Sequence, residues 1–249
     1  NSNKKYLNKI IIENNIRNIS KNTSFDNSNI IIKNGTNICL KNSSILKISN
    51  SNLIIEGEIN SPISIKGCDN MSGSILIENS NINFKNITFE NLQAPNIRLR
   101  KLYGGINIVN SKINGDTLRI SKSLSEDAIN FINISVKIKK IKLSGIKSDG
   151  LDSDFSKFNI GEINCNDIGN DCVDFSYSNG SINNLFGNNI KDKGISLGEE
   201  SILNIKEAKI ENSEIGITAK DLSKLTIVNY FFNRTKIPIA AYIKKPELG

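Results

Sequence analysis

The sequence contains no histidine and no tryptophan, and it has only one methionine and four prolines. The absence of histidine excludes a Ser-His-Asp triad and most transition-metal sites, so carboxylates, lysines and hard cations such as Ca²⁺ remain as the available chemistry. Lysines and arginines outnumber aspartates and glutamates by 32 to 25, but no basic run exceeds two residues. A nucleic-acid surface needs a basic stripe, so we expect no nucleic-acid partner. No apolar run is long enough to span a bilayer, so we expect no membrane insertion.

Cysteines are also scarce. The four cysteines, Cys39, Cys68, Cys165 and Cys172, form no C-x-x-C pair and are irregularly spaced, which argues against a zinc site and against a disulfide framework. Cys172 stands where neighbouring repeats carry alanine or glycine. We therefore expect Cys172 to be a free thiol packed as a small apolar side chain.

What the sequence does contain is a repeat of 22 residues, which runs without an insertion from Glu126 to Lys244. One position of the repeat is always apolar: Ile129, Leu151, Val173, Ile195, Ile217 and Ile239. The position two residues later is apolar too, except at Ser153. The position between them is polar in five of six repeats: Asn130, Asp152, Asp174, Ser196, Thr218 and Ala240.

This alternation is typical of a β-strand, in which successive side chains point to opposite faces. A single strand per repeat cannot bury its apolar face alone, so the repeats must stack. The sequence therefore predicts an all-β fold, a single-stranded parallel β-helix with about 22 residues per coil. We predict an N-terminal cap over residues 1–28 and the β-helix over residues 29–249.

The period slips at residues 90–104, which contain Arg98, Arg100, Lys101 and Tyr103. Insertions in solenoids form loops on one face, so this segment is either a basic arm beside a cleft or a decorated turn. The chain begins without methionine and ends as the repeat finishes. We expect it to be part of a larger chain or assembly.

Equal offsets in the repeat place acidic residues directly above one another. Asp127, Asp149 and Asp171 share one column with Lys193, and Asp154 shares another with Lys220. Stacked carboxylates about 5 Å apart repel each other unless they are hydrogen-bonded, protonated, paired with lysine or bound to a cation. The acidic columns therefore mark a candidate site.

Four segments around these columns resemble the successive active-site motifs of polygalacturonase-type glycoside hydrolases, which read Asn-Thr-Asp-Gly, Gly-Asp-Asp-Cys, Gly-His-Gly-Ile-Ser-Ile-Gly and Arg-Ile-Lys. The order and spacing agree, and the rest of the chain matches only in period. The resemblance implies a right-handed parallel β-helix of the pectin-lyase-like superfamily, secreted or at the cell surface. The four segments are 148–152, 169–173, 193–198 and 216–220.

The departures from this pattern fall on functional positions. Asp149, Asp171 and Lys220 match the family, but Asn170 replaces one of the paired aspartates, Lys193 replaces the histidine and Thr218 replaces the arginine. Inverting hydrolysis needs one carboxylic acid and one carboxylate about 6.5–9.5 Å apart. The lost acid argues against ordinary pectin hydrolysis.

We therefore expect a non-catalytic module that binds a polysaccharide, preferably an acidic one. Two enzymatic alternatives stay open: a calcium-assisted lyase or epimerase that acts on an acidic glycan, and a glycoside hydrolase. In the lyase, a lysine would abstract the proton next to a uronate carboxylate, and Arg98 or Arg100 would stabilise the enolate. The candidate catalytic residues are Asp149, Asp171, Lys193 and Lys220. The candidate substrate-binding residues are Asn170, Asp152, Asp174 and Thr218. The candidate Ca²⁺ ligands are Asp149, Asp171 and Asp174.

Overall fold

The computed structural model describes residues 8–13, 16–97 and 101–248. The chain winds into a right-handed parallel β-helix of about 10 turns. This confirms the predicted fold class, although the mean coil is about 23 residues long rather than 22. In the part of the chain that the structure describes, no helix is long and apolar enough to cross a membrane.

Twenty strands build the coils, and a short 3₁₀ helix follows them at Pro246–Leu248. The strands are β1 (Asn8–Ile12), β2 (Ile16–Ile19), β3 (Thr23–Asp26), β4 (Ser28–Ile32), β5 (Asn37–Leu40), β6 (Ile45–Ser49), β7 (Asn52–Ile55), β8 (Ile63–Gly67), β9 (Ser74–Glu78), β10 (Asn81–Glu90), β11 (Gly104–Val109), β12 (Lys112–Ser121), β13 (Asp127–Ile132), β14 (Ser135–Ile146), β15 (Asp149–Asp154), β16 (Lys157–Ile168), β17 (Val173–Ser176), β18 (Asn179–Gly198), β19 (Ile202–Lys220) and β20 (Lys224–Tyr242).

Each coil contributes to three faces of the rod. The first face begins with β1, β4 and β7, the second with β2, β5 and β8, and the third with β3, β6 and β9. The third face then continues through β11, β13, β15 and β17. Longer strands turn through the corners, so β18, β19 and β20 contribute to all three faces. Three strands within the segment that we predicted as a cap, β1–β3, pair in parallel with β4–β6.

The apolar columns of the repeat form the interior. Ile129, Leu151, Val173 and Ile195 are at most 1% exposed, and Ser153 points into the same core at 1%. Ile239, in the last described coil, is 53% exposed. The alternation in the sequence therefore assigned the inner and outer sides correctly.

Asparagine closes one corner of each early coil. At the turn that follows the third face, Asn27, Asn50, Asn79, Asn110 and Asn133 all have φ between 47° and 52°. Among residues other than glycine, asparagine adopts this left-handed conformation most readily. The repeated turn thus accounts for part of the asparagine content.

The end of the insertion at residues 90–104 packs against the third face. The register advances by 31 residues from Asn81 to Lys112, against 22 from Asp152 to Asp174. Leu102 is buried against Leu76 and Val109 on the outer side of the third face. Arg98 and Arg100, the predicted basic arm, lie outside the described residues. Leu102 therefore covers part of the outer side of β9 and β11.

All four cysteines are in disulfides, so the expectation of a free thiol at Cys172 is wrong. Cys39 pairs with Cys68 and Cys165 pairs with Cys172, with Cα–Cα distances of 5.6 and 5.9 Å. The winding of the chain brings both pairs into the range that a disulfide spans. The spacing of the cysteines in the sequence did not reveal these pairs, because the Cα–Cα distances depend on the coil length and on where the corners lie.

Candidate functional site

The polar position of the repeat forms one straight row on the outer side of the third face. The parallel register aligns Asn130 with Asp152, Asp152 with Asp174, and Asp174 with Ser196. We name this set the central row: Asn107, Asn130, Asp152, Asp174, Ser196 and Thr218. The central row runs along the rod axis with one side chain per coil, about 4.8 Å apart.

The central row is covered at both ends. At the N-terminal end Asn107 and Asn130 are 0% and 2% exposed, and a Cβ added to Gly104 would lie 3.1 Å from that of Asn130. At the other end Ser196 and Thr218 are both 0% exposed. The whole row lies on the outer side of the strands, but neighbouring chain segments cover its ends.

Between these covered ends lies an opening that we name the central window, formed by Asp152, Asp154, Asp174 and Ser176. These four residues are partly exposed. Two strands position them: Asp152 and Asp154 alternate with inward residues on β15, and Asp174 and Ser176 do so on β17. The accessible part of the row thus spans two coils.

A second acidic column lies beside the window. The side chain of Asn170 and the backbone N–H of Asp171 both donate to Asp149 Oδ1, at 2.7 and 2.8 Å. The backbone N–H and the Nζ of Lys193 donate to Asp171 Oδ1, at 3.0 and 3.3 Å. Lys193 Nζ also contacts Asp192. The structure therefore brings together four of the predicted site residues, Asp149, Asn170, Asp171 and Lys193.

Burial dominates the electrostatics of both columns. It raises the pKa of Asp152 to about 9, and the neighbouring Asp127, Asp154, Asp174 and Asp149 reinforce the shift. Burial likewise raises the pKa of Asp171 to about 7, although Lys193 opposes the change. The pKa of Asp149 is raised for the same reason. Asp152 is therefore mostly protonated at neutral pH, and Asp171 is close to its midpoint.

Two further carboxyl groups, Asp154 in the window and Asp127 beside it, also have a raised pKa. Burial and the nearby Asp174 and Glu199 raise the pKa of Asp154 to about 6. Burial also raises the pKa of Asp127 to about 7, and the hydrogen bond from Asn130 opposes this shift. Asn130 Nδ2 donates to Asp127 Oδ2 at 2.9 Å and to Asp152 Oδ2 at 3.0 Å. The Asn130 amide therefore links Asp127, in the second acidic column, to Asp152 in the central row.

Two buried oxygens of the central row lack a hydrogen-bond partner within the described chain: Asp174 Oδ1 and Asn130 Oδ1. A buried acceptor without a donor costs about 1–3 kcal/mol. These two oxygens therefore add to the cost in stability of the central row.

The remaining predicted residues lie at the covered end. Lys220 is 6% exposed, and its Nζ donates to Ser196 Oγ at 2.8 Å. The hydroxyl of Thr218 donates to the backbone oxygen of Ile195 at 3.3 Å. Both therefore contact protein groups, and the structure does not bring them together with Asp171.

No group of three or more His, Cys, Asp or Glu side chains in residues 8–13, 16–97 and 101–248 is arranged to hold a metal ion. Asp149, Asp171 and Asp174, which we predicted as Ca²⁺ ligands, do not form such a group. The polar partners of Asp149 and Asp171 are amides and the lysine ammonium described above. Binding of Ca²⁺ by these residues stays a prediction.

Sequence reasoning missed two aromatic residues beside the window. Phe155 and Tyr177 follow Asp154 and Ser176 directly, and their rings stack with centroids 5.0 Å apart. Asn133, Phe155 and Tyr177 follow one another at intervals of 22 residues, so they occupy the same position of the repeat. Comparison of the repeats at this position would have identified the two aromatic residues.

A concavity lies elsewhere on the rod. A groove of about 600 Å³ follows the corner between the first and second faces, and Phe84, Asn114, Gly115, Lys137 and Asn159 line part of it. The central window instead holds carboxyl groups whose pKa is shifted. Because perturbed titratable groups favour a functional site, we assign the candidate site to the window.

Comparison with known proteins found no matching family model, no similar curated protein and no similar solved structure. The parallel β-helix is therefore established by the structure, whereas the likeness to polygalacturonase-type enzymes rests on the four motifs alone.

Proposed function

We propose that this protein binds a polysaccharide through the central window, as a non-catalytic module of a secreted or cell-surface protein. The observation that carries the proposal is the central window, in which the partly exposed Asp152 and Asp154 are aligned with Asp174 and Ser176 in the next coil. An extended polysaccharide offers hydroxyl groups along its length, and they can both donate and accept hydrogen bonds.

The protonation of Asp152 supports this match. A carboxylic acid donates through its O–H and accepts through its carbonyl oxygen, as a sugar hydroxyl requires. The raised pKa of Asp152, about 9, keeps that group in the acid form at neutral pH. The window therefore offers both kinds of partner.

Asn170 and Lys193 support a module rather than an enzyme. Asn170 stands where the hydrolase motif has a carboxylic acid, and its amide is used to bind Asp149. Burial would lower the pKa of Lys193, but contacts with Asp192 and Asp171 outweigh burial and raise it above 10.5. A lysine that stays charged cannot accept the α-proton of a uronate. Both features argue against the hydrolase and the lyase or epimerase.

The disulfides support the proposed location. The structure contains two disulfides, Cys39–Cys68 and Cys165–Cys172. Disulfides persist mainly in secreted and cell-surface proteins because the cytosol is reducing.

Affinity electrophoresis tests the proposal. The protein would be run through native gels that contain hydroxyethylcellulose, dextran or polygalacturonate, with and without CaCl₂. We expect retardation of the native protein by at least one polysaccharide. The variant Asp152→Ala/Asp174→Ala should migrate without retardation, and Glu162→Gln on the second face should behave like the native protein.

Product analysis of the same mixtures separates a module from an enzyme. We expect no reducing ends and no unsaturated uronate absorbance after prolonged incubation with the native protein. Product from any of the polysaccharides would contradict the non-catalytic assignment. Equal migration of the native protein and Asp152→Ala/Asp174→Ala would contradict the assignment of binding to the window.

A further inference from the structure

We propose that Phe155 and Tyr177 form an aromatic platform on which an uncharged sugar ring of gluco configuration stacks, against the open side of Phe155. This inference rests on the proposed function and names the class of sugar that the window takes. The two residues close the corner next to the central window, one residue beyond Asp154 and Ser176.

The backbone at both positions is unfavourable for an aromatic residue. Phe155 has φ of 53° and Tyr177 has φ of 49°. The corresponding corner in the preceding coil is closed by Asn133, with φ of 52°. A left-handed conformation costs a residue with a bulky side chain roughly 1–2 kcal/mol. The corner itself accepts asparagine, so the fold does not require aromatic residues there.

Packing does not offset this cost, because both rings remain in contact with water. Phe155 is 59% exposed and Tyr177 is 38% exposed. Their rings are nearly parallel, with an interplanar angle of 3° and a centroid distance of 5.0 Å. Exposed apolar groups held in a strained conformation are typical of binding sites.

The two sides of the stacked pair differ. Beyond Tyr177 lies Glu199, whose Oε1 pairs with Lys245 Nζ at 2.5 Å. On the side of Phe155 the next residue in the column is Asn133, and its amide donates to Asn110 at 2.8 Å, toward the preceding coil. Among the residues that the structure describes, Tyr177 is the only ring or cation stacked on Phe155. A flat ring can therefore extend the stack from Phe155.

The chemistry of this position selects the sugar. The face of an aromatic ring carries partial negative charge, which attracts polarised C–H groups. A pyranose of gluco configuration presents such C–H groups on its faces and its hydroxyls at the rim, where Asp154 and Asp152 can bind them. A uronate carboxylate would instead meet Asp154, Asp174 and Glu199, and the negative charges of Asp174 and Glu199 already raise the pKa of Asp154. The platform therefore favours an uncharged ring over the acidic glycan that we first expected.

Calorimetric titration with cellohexaose at pH 7 tests the inference. The variant Phe155→Asn/Tyr177→Asn places in both corners the residue found in earlier coils. We expect its dissociation constant to rise about 10-fold or more, since stacking on an aromatic ring is worth about 1–3 kcal/mol. Its melting temperature should stay equal or rise, because asparagine fits the left-handed turn. Phe231→Asn, which removes an exposed ring on the second face, should bind like the native protein.

Several outcomes would overturn the inference. If Asp152→Ala/Asp174→Ala loses binding but Phe155→Asn/Tyr177→Asn does not, the polysaccharide function stands and the platform is refuted. Binding of polygalacturonate without binding of cellohexaose would refute the uncharged ring. A native dimer in sedimentation that dissociates in the asparagine variant, without cellohexaose binding, would make the rings a protein interface. A native protein that binds none of the polysaccharides would refute both the function and the platform.

Discussion

The second and third faces of the rod have the same coil spacing but treat charge differently. On the second face opposite charges meet: Lys140 Nζ lies 2.6 Å from Glu162 Oε1, and Lys122 Nζ lies 2.8 Å from Glu90 Oε1. On the third face Asp152 is aligned with Asp174 in the next coil. No cation intervenes between these two aspartates in the described register. The same backbone therefore carries paired opposite charges on the second face and adjacent aspartates in the central window of the third.

This difference shows that the fold does not impose the acidic row. A parallel β-helix tolerates lysine and glutamate in register, as the second face demonstrates, and such an arrangement avoids like-charge repulsion. The third face instead retains carboxyl groups that are buried and protonated at a cost in stability. Local departures from the stable pattern concentrate at functional sites. This pattern favours a functional site on the third face.

The largest predicted effect is the response of stability to pH. The folded pKa of Asp152 is about 9, against 3.8 for the free side chain. The folded state thus holds a proton that the unfolded chain releases, so stability falls as pH rises from about 4 to about 9. Asp152→Asn removes this dependence. We expect it to stabilise the protein by about 3 kcal/mol at pH 8, after a discount for partial exposure to water, and by little at pH 4.

Urea unfolding of both proteins at the two pH values measures the effect. Glu162→Gln on the second face serves as the matched control, and it should not stabilise the protein at either pH. An Asp152→Asn variant that is no more stable than the native protein at pH 8 would mean that Asp152 is ionised and solvated.

The next effect comes from the lysines of the two faces. The side chain of Lys193 is 14% exposed and that of its partner Asp171 is 5% exposed. Lys193→Met should therefore destabilise the protein by about 2 kcal/mol at pH 8, because it leaves a buried carboxylate without its cation. At pH 5 the loss should be smaller, since Asp171, with a pKa of about 7, is then protonated.

Lys140→Met is the matched change on the second face. Lys140 is 33% exposed in its pair with Glu162, so its removal should cost less than about 1 kcal/mol at either pH. The measurement is the urea midpoint of both variants at pH 5 and pH 8. An equal loss of stability in Lys193→Met and Lys140→Met would contradict the proposed difference between the two faces.

The smallest predicted effect is the coupling between Lys140 and Glu162. A double-mutant cycle with Lys140→Met and Glu162→Gln should give a coupling energy of about 0.5 kcal/mol, and 1 M salt should remove most of it. A coupling that persists in high salt would indicate that the second-face pairs are structural.

The sequence predicted the parts of this molecule that the repeat determines. The 22-residue period and the alternation around Ile129 and Leu151 were sufficient to predict the β-helix and its core. The motif spacing also predicted the cluster of Asp149, Asp171 and Lys193, because equal offsets stack in a parallel register. These features depend only on position within one coil.

Features that depend on the path between coils were not predictable. The Cys165–Cys172 disulfide crosses a corner whose position the period does not define. The burial of Asn130 depends on the insertion and on Gly104, and that of Ser196 depends on the lysine side chain of Lys220. The sequence shows that Phe155 and Tyr177 occupy the repeat position that Asn133 holds in the preceding coil. Only the structure shows that this position is a left-handed corner, at which an aromatic residue is unusual.

Carboxyl footprinting tests the central claim most directly. The protein would be labelled with a carbodiimide and an amine, with and without hydroxyethylcellulose, and the modified residues would be located by mass spectrometry. The account predicts that the polysaccharide reduces labelling at Asp152, Asp154 and Asp174 while Glu162 and Glu211 on the second face are unaffected. Reduced labelling at Glu56 and Asp116, which line the corner groove, with no change in the window, would contradict it.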